Sequence, residues 1–543
     1  MPNTSGKNGL WDEWQQINWK TVEKAVMKLQ KHIYQASTAG NVALVRALQK
    51  RLTHSWFAKL LAVRRITQEN LGRKTAGVDG VKNLKPTQRM KLALNLDITR
   101  KAKSIKRITI PKPGKTEKRH GSRYNGGNPR NALPPLGIST MHDRASQCLV
   151  KMAMEPEWEA KFHAESYGFR PGRSTHDAIE AIFQSLSRTT GDRWFIEADI
   201  EKCNDRINHD YLLNKLATYP GIRQIIKGWL KAGCLDGTSL FPIEVGTPQG
   251  GVISPLLANI ALHGIEESFS LRKVPSSLNT QYKLVRYAND FVIIFGVDKT
   301  PENTKSPNGR AGYQAWIDSL NEFLKPIGLR VKETKTKEVK ASDGFDFLGF
   351  NIRKYQEKAA LKTIIKPSID AVSRHIKRLK GVIDSLRHAP QQKVIATLNP
   401  IICRWCNYYR TICAKETFHK CDYDLFQMLW GWAYTRCHGT GKRDIKRKYW
   451  GQGRGWKFDS GEFPLLRHEG TKIVRHTKVK GVKSPYDGDY VYWGQRLSNY
   501  ANLKTRVQTL LKKQGGKCNE CGLKFRHNDA MEVDHKIPRK SWG

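Results

Sequence analysis

Acidic residues are scarce in this chain. Its 543 residues include 49 Asp and Glu against 94 Lys and Arg, which gives a formal net charge of +45. So large an excess of positive charge repels itself unless a polyanion neutralises it. Nucleic acid is the expected partner, and a solvated basic surface without a specific partner is the alternative.

Long apolar runs are also absent. No stretch approaches the roughly 20 apolar residues that cross a bilayer, and the mean hydropathy is -0.58. The first nine residues are polar and lack the apolar segment of a secretory signal. The ten cysteines have irregular spacings that do not resemble a disulfide framework. We therefore expect no membrane partner and no secretion, and a reducing compartment: a bacterial cytoplasm or an organellar matrix such as that of a plastid.

The apolar residues that are present predict a mixture of helices and strands. Helical spacing runs from Trp11 to about Thr67, and strands are predicted at 105–110 and 194–200. This mixture favours an α+β fold of three or more domains. After Phe350 the strand pattern fades, and basic and apolar residues from Ile369 to Tyr434 predict a helical bundle with one basic face.

A short polar segment between two apolar runs predicts a β-hairpin. Residues 282–285 and 291–295 are β-branched and aromatic, so they predict two strands joined by a tight turn at Ala288 and Asn289. The turn would aim Asp290 at whatever lies opposite. Asp199 ends another predicted strand, and nucleotidyl transfer uses divalent metals held by such carboxylates. Each acid alone is a weak signal, because acids at strand ends and in turns are usually solvated.

The order of several motifs resembles the reverse-transcriptase blocks of group II intron-encoded proteins. The resembling segments are 62–65, 75–80, 166–171, 197–200, 246–255, 286–290, 335–337 and 347–350. Residues 398–402, followed by Trp405, Asn407, Tyr408 and Tyr409, resemble the start of that family's maturase domain. The resemblance covers essentially the whole chain.

The resemblance implies a right-hand α+β fold with fingers and palm, a helical thumb called domain X, a basic DNA-binding segment and an HNH endonuclease. The implied boundaries are a helical N-terminal extension at 1–80, fingers and palm at 81–355, domain X at 356–440, a basic DNA-binding or linker segment at 441–510, and a partial HNH module at 511–543. The linker segment reads as irregular and nucleic-acid-facing, or as a weakly ordered connector.

Proteins of this family bind their own intron RNA, promote its splicing and, in mobile introns, copy it into DNA at a cleaved target. Group II intron RNA and target DNA are therefore the implied partners. Arg170, Arg173 and the domain X residues Lys377, Arg378 and Lys380 offer basic groups to phosphates, and aromatic residues offer surfaces for base stacking. Each of these basic residues could equally belong to a solvated face.

The resemblance also assigns site residues. Asp199 and Asp290 would bind magnesium, and Asn289 would lie beside them in the catalytic hairpin. The residues implied in nucleotide or template binding are Ile200, Asn204, Gln249, Gly250, Gly251, Arg170 and Lys335. The backbone at Gly250 and Gly251 would approach the nucleotide closely, where only glycine leaves room.

Three departures from the family pattern predict an impaired polymerase. The first of the two aspartates expected after Ala288 is Asn289, whose amide can coordinate magnesium but brings no charge. The aromatic residue expected five positions after Asp199, which excludes a ribose 2′ hydroxyl, is Asn204. The arginine expected before Pro-Leu-Gly, a triphosphate contact, is Pro134.

The last residues resemble the first half of an HNH nuclease. Cys518 and Cys521 would supply two of four zinc ligands, Asp534 would hold the catalytic magnesium, and His535 would activate water. The second cysteine pair, the asparagine and the final histidine of that motif do not occur within the 543 residues. We expect this half module neither to close nor to cut, and to bind zinc only if it is completed.

A second group of cysteines, Cys403, Cys406, Cys413 and Cys421, also has spacing compatible with zinc. These positions fall inside the helical domain X, so ordinary core or surface cysteines are favoured.

Together these features predict a group II intron maturase that binds its intron RNA and promotes splicing, with a weakened magnesium site for polymerisation. The alternative is an active RNA-directed DNA polymerase that supports intron mobility. A basic RNA chaperone without specificity is a third reading.

Overall fold

The computed structural model describes most of the chain. The described residues are 13–109, 135–187, 193–236, 239–241, 245–246, 250–271, 282–296, 309–357, 360–437, 439–451, 457–461, 464–498, 503, 505–520, 522–525, 531 and 533. None of the helices in these ranges is long and apolar enough to cross a membrane.

The N-terminal region is helical, as predicted. It contains α1 (Trp19–Thr38), α2 (Val42–His54) and α3 (Trp56–Arg64). The apolar residues of α1 recur every three or four positions, so Val22, Val26 and Ile33 fall on one buried face. That face packs against the long helix α5 (Met141–Lys161).

The region that the resemblance assigns to the palm contains a four-stranded antiparallel sheet, here called the palm sheet. Its strands are β3 (Arg193–Asp199), β6 (Tyr282–Tyr287), β7 (Asp290–Gly296) and β8 (Lys337–Lys340). The strand order is β6-β7-β3-β8, so the predicted hairpin β6-β7 lies directly beside the strand that ends at Asp199.

Two hydrophobic cores lie on opposite faces of this sheet. Along β7, Ile293 joins the core formed with the N-terminal helices, whereas Val292 and Ile294 join the core formed with domain X. In β3, Ile196 joins the core of the N-terminal helices and Phe195 joins the core of domain X. Successive side chains of a strand point to opposite faces of the sheet, so the palm sheet separates the two cores.

The remaining elements complete the fingers and palm. A second sheet has the order β2-β1-β4-β5. Its strands are β1 (Ile105–Thr109), β2 (Pro135–Ile138), β4 (Cys234–Asp236) and β5 (Ser239–Phe241). The helices are α4 (Pro86–Leu94), α6 (Thr175–Ser187), α7 (Cys203–Arg206), α8 (His209–Leu216), α9 (Pro220–Leu230), α10 (Ser254–Leu262), α11 (Ile265–Leu271) and α12 (Gly309–Leu324).

Strand structure continues beyond Phe350, which corrects the sequence-based expectation that it fades there. A three-stranded sheet contains β9 (Phe345–Phe347), β10 (Phe350–Glu357) and β11 (Ala360–Pro367). In β10 the buried face carries Lys354 after Phe350 and Ile352, and this charged residue at an inward position hides the strand pattern. Strand β10 crosses the boundary predicted at residue 355.

The thumb is a helical bundle, as predicted. Its helices are α13 (Ile369–Ser385), α14 (Gln391–Tyr409), α15 (Lys415–Tyr434) and α16 (Lys442–Trp450). Two tyrosines at the end of α14 anchor it to the β9-β10 turn. The hydroxyl of Tyr408 donates to the carbonyl of Leu348 over 3.0 Å, and that of Tyr409 donates to the carbonyl of Gly349 over 3.1 Å.

The segment 474–498 is not a weakly ordered connector, which corrects that reading of the linker. It ends in α17 (Tyr490–Ser498), and α18 (Thr505–Lys513) follows. The fully buried carboxylate of Asp177 on α6 accepts hydrogen bonds from the backbone N–H of Val479 over 2.9 Å and from Arg496 over 2.7 Å. His476 Nε2 lies 3.2 Å from the same oxygen. These contacts fasten the segment to the palm.

Candidate active site

The two predicted carboxylates lie side by side at the end of the palm sheet. Asp199 and Asp290 are direct partners in the antiparallel register of β3 and β7. Each stands at a strand end, where the side chains leave the packed interior. The backbone carbonyl of Asp199 accepts a hydrogen bond from Lys332 N–H over 2.8 Å, which fixes the end of β3. Paired carboxylate oxygens are the donors that magnesium prefers.

Asn289 brings an amide to this pair. Its Nδ2 donates to Asp199 Oδ1 over 3.0 Å and lies 3.5 Å from Asp290 Oδ1. An N–H donor directed at a carboxylate oxygen competes with a cation for the same lone pairs. Asn289 therefore brings no negative charge to the pair and also engages a neighbouring carboxylate.

The hairpin turn is as tight as the sequence predicts. Two residues, Ala288 and Asn289, connect β6 and β7, and Ala288 adopts φ +60° in the left-handed region. A non-glycine residue with this backbone angle requires support from its surroundings.

Part of that support comes from the buried Arg286. Its side chain is 0% exposed and donates from Nε to Glu266 Oε1 over 3.0 Å. One terminal nitrogen donates to Asn259 Oδ1 over 3.2 Å and to the carbonyl of Ala288 over 3.3 Å. The ion pair with Glu266 satisfies a charge that would be costly to bury alone.

Gly168 provides the rest of the support by close contact. A Cβ atom added there would lie 2.2 Å from the backbone nitrogen of Ala288. The Gly168 carbonyl accepts a hydrogen bond from Asn259 Nδ2 over 2.7 Å, so one asparagine joins this loop to Arg286. Only glycine permits this approach, which explains the glycine within the 166–171 segment.

Two predicted nucleotide-contacting residues have different environments. Ile200 is 2% exposed and its side chain belongs to the N-terminal core, so any contact with a nucleotide is restricted to its backbone. The predicted role of Ile200 in nucleotide binding stays a prediction that concerns its backbone. Asn204 is half-buried in α7, and its carbonyl oxygen would be 2.7 Å from a Cβ added at Gly246. Gly246 therefore lies against the backbone of Asn204 and Asp205.

Two further glycines of the 246–255 motif differ in exposure. Gly250 is exposed with φ +99°, whereas Gly251 is buried. Val252 N–H donates to Gln147 Oε1 over 2.8 Å, which ties the motif to α5. Gln249 and Pro134 lie outside the described residues. Lys335 ends a short 3₁₀ turn before β8, and the part of the chain that the structure describes does not include its side chain.

Arg170 does not offer its guanidinium to phosphates, which corrects that prediction. Only 4% of the residue is exposed, and Nε donates to Glu159 Oε1 over 2.8 Å. The other nitrogens donate to Glu159 Oε2 and to the carbonyls of His163 and Ser166. These bonds hold the loop that carries Gly168, so Arg170 positions the loop.

Arg173 is buried in the same way. It donates to the carbonyls of Ala164, Gly481 and Lys483. Burial, together with the positive charge of the neighbouring Arg170, lowers the pKa of its guanidinium to about 10. The predicted phosphate contact is therefore replaced by a contact with the 474–498 segment.

The cysteines of domain X lie in helices. Cys406 on α14 and Cys421 on α15 are 2% and 0% exposed, and burial raises the pKa of each thiol to about 12. Such thiols behave as core residues. Cys413 is exposed. Within the described ranges, no group of three or more His, Cys, Asp or Glu could hold a metal ion.

Only part of the HNH-like motif can be located. Cys518 lies in a tight turn in which its carbonyl accepts from Gly522 N–H over 2.9 Å. Cys521, Asp534 and His535 lie outside the described residues. The nuclease assignment stays a prediction.

Sequence reasoning missed several residues that build the site. Arg286 and Gly168 lie within the resembling segments 286–290 and 166–171, but the sequence assigns them no role in the turn. It does not point to Glu159, Asn259 or Glu266. A signal for Arg286 was available, because a charged residue follows directly after the buried residues Leu284 and Val285 of an apolar strand. The other residues carry no local signal.

Three protein-family models match the chain. The N-terminal domain of reverse transcriptase matches residues 14–96, and the reverse transcriptase (RNA-dependent DNA polymerase) matches residues 110–352. The maturase-specific domain of group II introns matches residues 372–450, which covers α13 to α16. The sheet that carries Asp199 and Asp290 thus belongs to a reverse-transcriptase fold.

Individual relatives agree with these matches. The group II intron-encoded protein LtrA of Lactococcus lactis subsp. cremoris is 41% identical, and the alignment covers 74% of this chain and 77% of LtrA. Protein YkfC of Escherichia coli is 31% identical over 61% of this chain and 89% of its own length. Maturase-like protein 1 of Euglena gracilis is 27% identical over 76% of this chain and 80% of its own. The matches to the reverse-transcriptase and maturase-specific domain models, together with 41% identity to LtrA over 77% of its length, show that this chain belongs to the group II intron-encoded reverse transcriptase/maturase family.

Proposed function

We propose that this protein binds its host group II intron RNA and promotes its splicing, while its capacity for DNA synthesis is reduced. The reduced DNA synthesis is inferred from the 3.0 Å hydrogen bond that Asn289 Nδ2 donates to Asp199 Oδ1. Reverse transcriptases generally use magnesium, and Asp199 and Asp290 offer it oxygen donors. The third donor is a neutral amide engaged with one of the two carboxylates, so magnesium affinity falls.

RNA binding and splicing are inferred from the match to the maturase-specific domain and from the net charge of the chain. The net charge of +45 matches a large polyanion, and intron RNA is the polyanion that maturase relatives imply. Domain X presents exposed basic residues on α13, among them Lys377 and Arg378. A splicing factor needs this surface but needs no metal-dependent chemistry of its own.

The test is splicing of the host intron at physiological magnesium with and without the purified chain. We expect stimulation of the host intron and none of an unrelated group II intron. Equal stimulation of both would favour an unspecific RNA chaperone, and no stimulation of either would overturn the proposal.

A second candidate function, RNA-directed DNA synthesis for intron mobility, is favoured by the direct pairing of Asp199 with Asp290. Primer extension on an RNA template with magnesium separates the two readings. We expect weak synthesis by the parent chain and a gain with Asn289→Asp. Robust synthesis by the parent chain that is lost with Asp199→Ala would establish the second function.

A further inference from the structure

Domain X contains an open cavity between α13 and α14, which we term the thumb cavity. Its volume is about 420 Å³, within the range of pockets that hold small ligands. The side chains that matter for its chemistry are Arg374, His375, Arg378, Arg404, Trp405 and Tyr409.

The polar part of the thumb cavity carries only positive charge. Arg374 and Arg378 stand four residues apart on α13, so they project from the same face, and Arg404 faces them from α14. None of the three forms a salt bridge with any described residue, and no acid lines the cavity. Three exposed guanidinium groups around one space are suited to phosphate oxygens, which arginine binds through two parallel hydrogen bonds.

The other part is an aromatic wall held in a fixed position. The Trp405 ring stacks on His375 with centroids 4.3 Å apart and planes 5° apart, and Tyr409 lies 4.8 Å from Trp405. His375 Nε2 lies 2.9 Å from Nε2 of the fully buried His468, whose Nδ1 lies 2.7 Å from Asp422 Oδ1. Because these aromatic rings are already held in place, little conformational entropy is lost when a flat ligand stacks on them.

We infer that the thumb cavity takes one unpaired nucleotide of an RNA strand. The phosphate lies among Arg374, Arg378 and Arg404, and the base lies against the rings of Trp405 and Tyr409. A base within a duplex cannot enter, because its faces are covered by neighbouring base pairs; single-stranded RNA exposes them. This inference rests on the proposed RNA-binding function and specifies where an unstacked nucleotide is held.

The first test measures the affinity and salt dependence of the full chain for a fluorescein-labelled 12-nucleotide oligo(U). The double variant Arg374→Gln, Arg378→Gln removes two charges from the cavity. Its matched control, Lys227→Gln, Lys231→Gln, removes two exposed charges that also lie four residues apart, at the end of α9 and outside the cavity. We expect the arginine variant to bind about tenfold more weakly and to lower the salt slope by about 0.7, the value for one single-strand phosphate contact. The control should stay within about twofold of the parent. Equal losses in both variants would overturn the inference.

The second test locates the base. A single 5-iodouridine in the same oligo(U) is crosslinked by irradiation, and the modified peptide is identified by mass spectrometry. We expect crosslinks on Trp405 or Tyr409, which disappear in the arginine variant and persist in the lysine control. Crosslinks confined to peptides outside α13 and α14 would contradict the inference. Neither variant needs a change in the aromatic core, so misfolding does not confuse the result.

The inference and the proposed function fail in different ways. If the parent chain stimulates splicing but the arginine and lysine variants bind oligo(U) equally, the thumb cavity is not a nucleotide site and the proposed function stands. If the parent chain does not stimulate splicing, the proposed function fails, whatever the crosslinks show.

Discussion

Asn289 Nδ2 donates a hydrogen bond to Oδ1 of Asp199 across 3.0 Å. The amide lies beside two carboxylates, those of Asp199 and Asp290, and leaves the site with two negative charges rather than three. A site with three would need a cation to offset their mutual repulsion. The asparagine therefore lets the hairpin fold beside Asp199 with less dependence on metal.

Replacing Asn289 by Asp should make folding depend on magnesium. The variant brings three carboxylates together, so we expect its melting temperature to fall by about 2–4 °C in EDTA, the shift for roughly 1 kcal/mol in a sizeable domain, and to recover in millimolar magnesium. Thermal unfolding with EDTA and with MgCl2 measures both effects. Asn208→Asp is the matched control, because Asn208 caps α8 and Asp caps a helix equally well. A variant that is as insensitive to magnesium as the parent would contradict this account of the site.

Gly168→Ala should displace the catalytic hairpin. The new Cβ would lie 2.2 Å from the backbone nitrogen of Ala288, which is not a flexible atom that can move away. We expect a loss of about 2 kcal/mol or more in the free energy of unfolding, the usual cost of forcing atoms into a packed site. Denaturant titration measures this loss. Gly381→Ala on α13 is the control: nothing lies within 4 Å of its Cβ, and an alanine in a helix should stabilise by up to about 1 kcal/mol. Equal changes in the free energy of unfolding for the two substitutions would mean that the hairpin moves away from the added Cβ at little energetic cost.

Acidification should destabilise domain X through His375. Burial, together with the nearby charges of His468 and Arg378, lowers the pKa of His375 to about 3. Its folded pKa is below its unfolded value of about 6.5, so between these values the unfolded state binds more protons. Stability is then complete above about pH 6.5 and falls as the pH is lowered, by up to about 1.4 kcal/mol per pH unit for one histidine.

The variant His375→Phe keeps a ring against Trp405 and removes the titration. We expect its free energy of unfolding between pH 6.5 and 4.5 to change with a slope smaller by about one proton than that of the parent. The exposed His388 on the loop after α13 is the control, and His388→Phe should keep the parent slope. An unchanged slope in the His375 variant would show that another group causes the acid sensitivity.

Asp177→Asn should release the 474–498 segment. The change removes the charge that Arg496 and His476 approach, while the shape of the side chain is retained. Breaking a buried charged pair costs about 3–5 kcal/mol, so we expect faster hydrogen–deuterium exchange in peptides from 474–498 and little change in the N-terminal helices. Asp210→Asn, an exposed acid on α8, is the control and should leave the exchange of that segment unchanged. Equal protection in parent and variant would refute the anchoring role of Asp177.

The parts of the site that could be predicted are those encoded locally. The hairpin follows from two apolar runs around a two-residue turn, and its pairing with the strand of Asp199 follows from the motif order. Arg170 could not be predicted correctly, because the sequence does not show that Glu159 lies against it on the preceding helix. The same limit applies to Asp177 and Val479, which are 302 residues apart and form one hydrogen bond. The composition of residues 441–510 predicts a basic linker. Composition does not show the tertiary contacts that this segment makes.

Strand β7 carries an evolutionary consequence. Its side chains supply both cores in alternation, so the strand is needed for the packing of the N-terminal helices and of the thumb alike. A lineage that gave up copying nucleic acid could change the polar residue at the tip of the hairpin at little cost, but it could not discard the strand. The packing of both cores is therefore sufficient to retain the strand, and its presence does not by itself indicate selection for DNA synthesis.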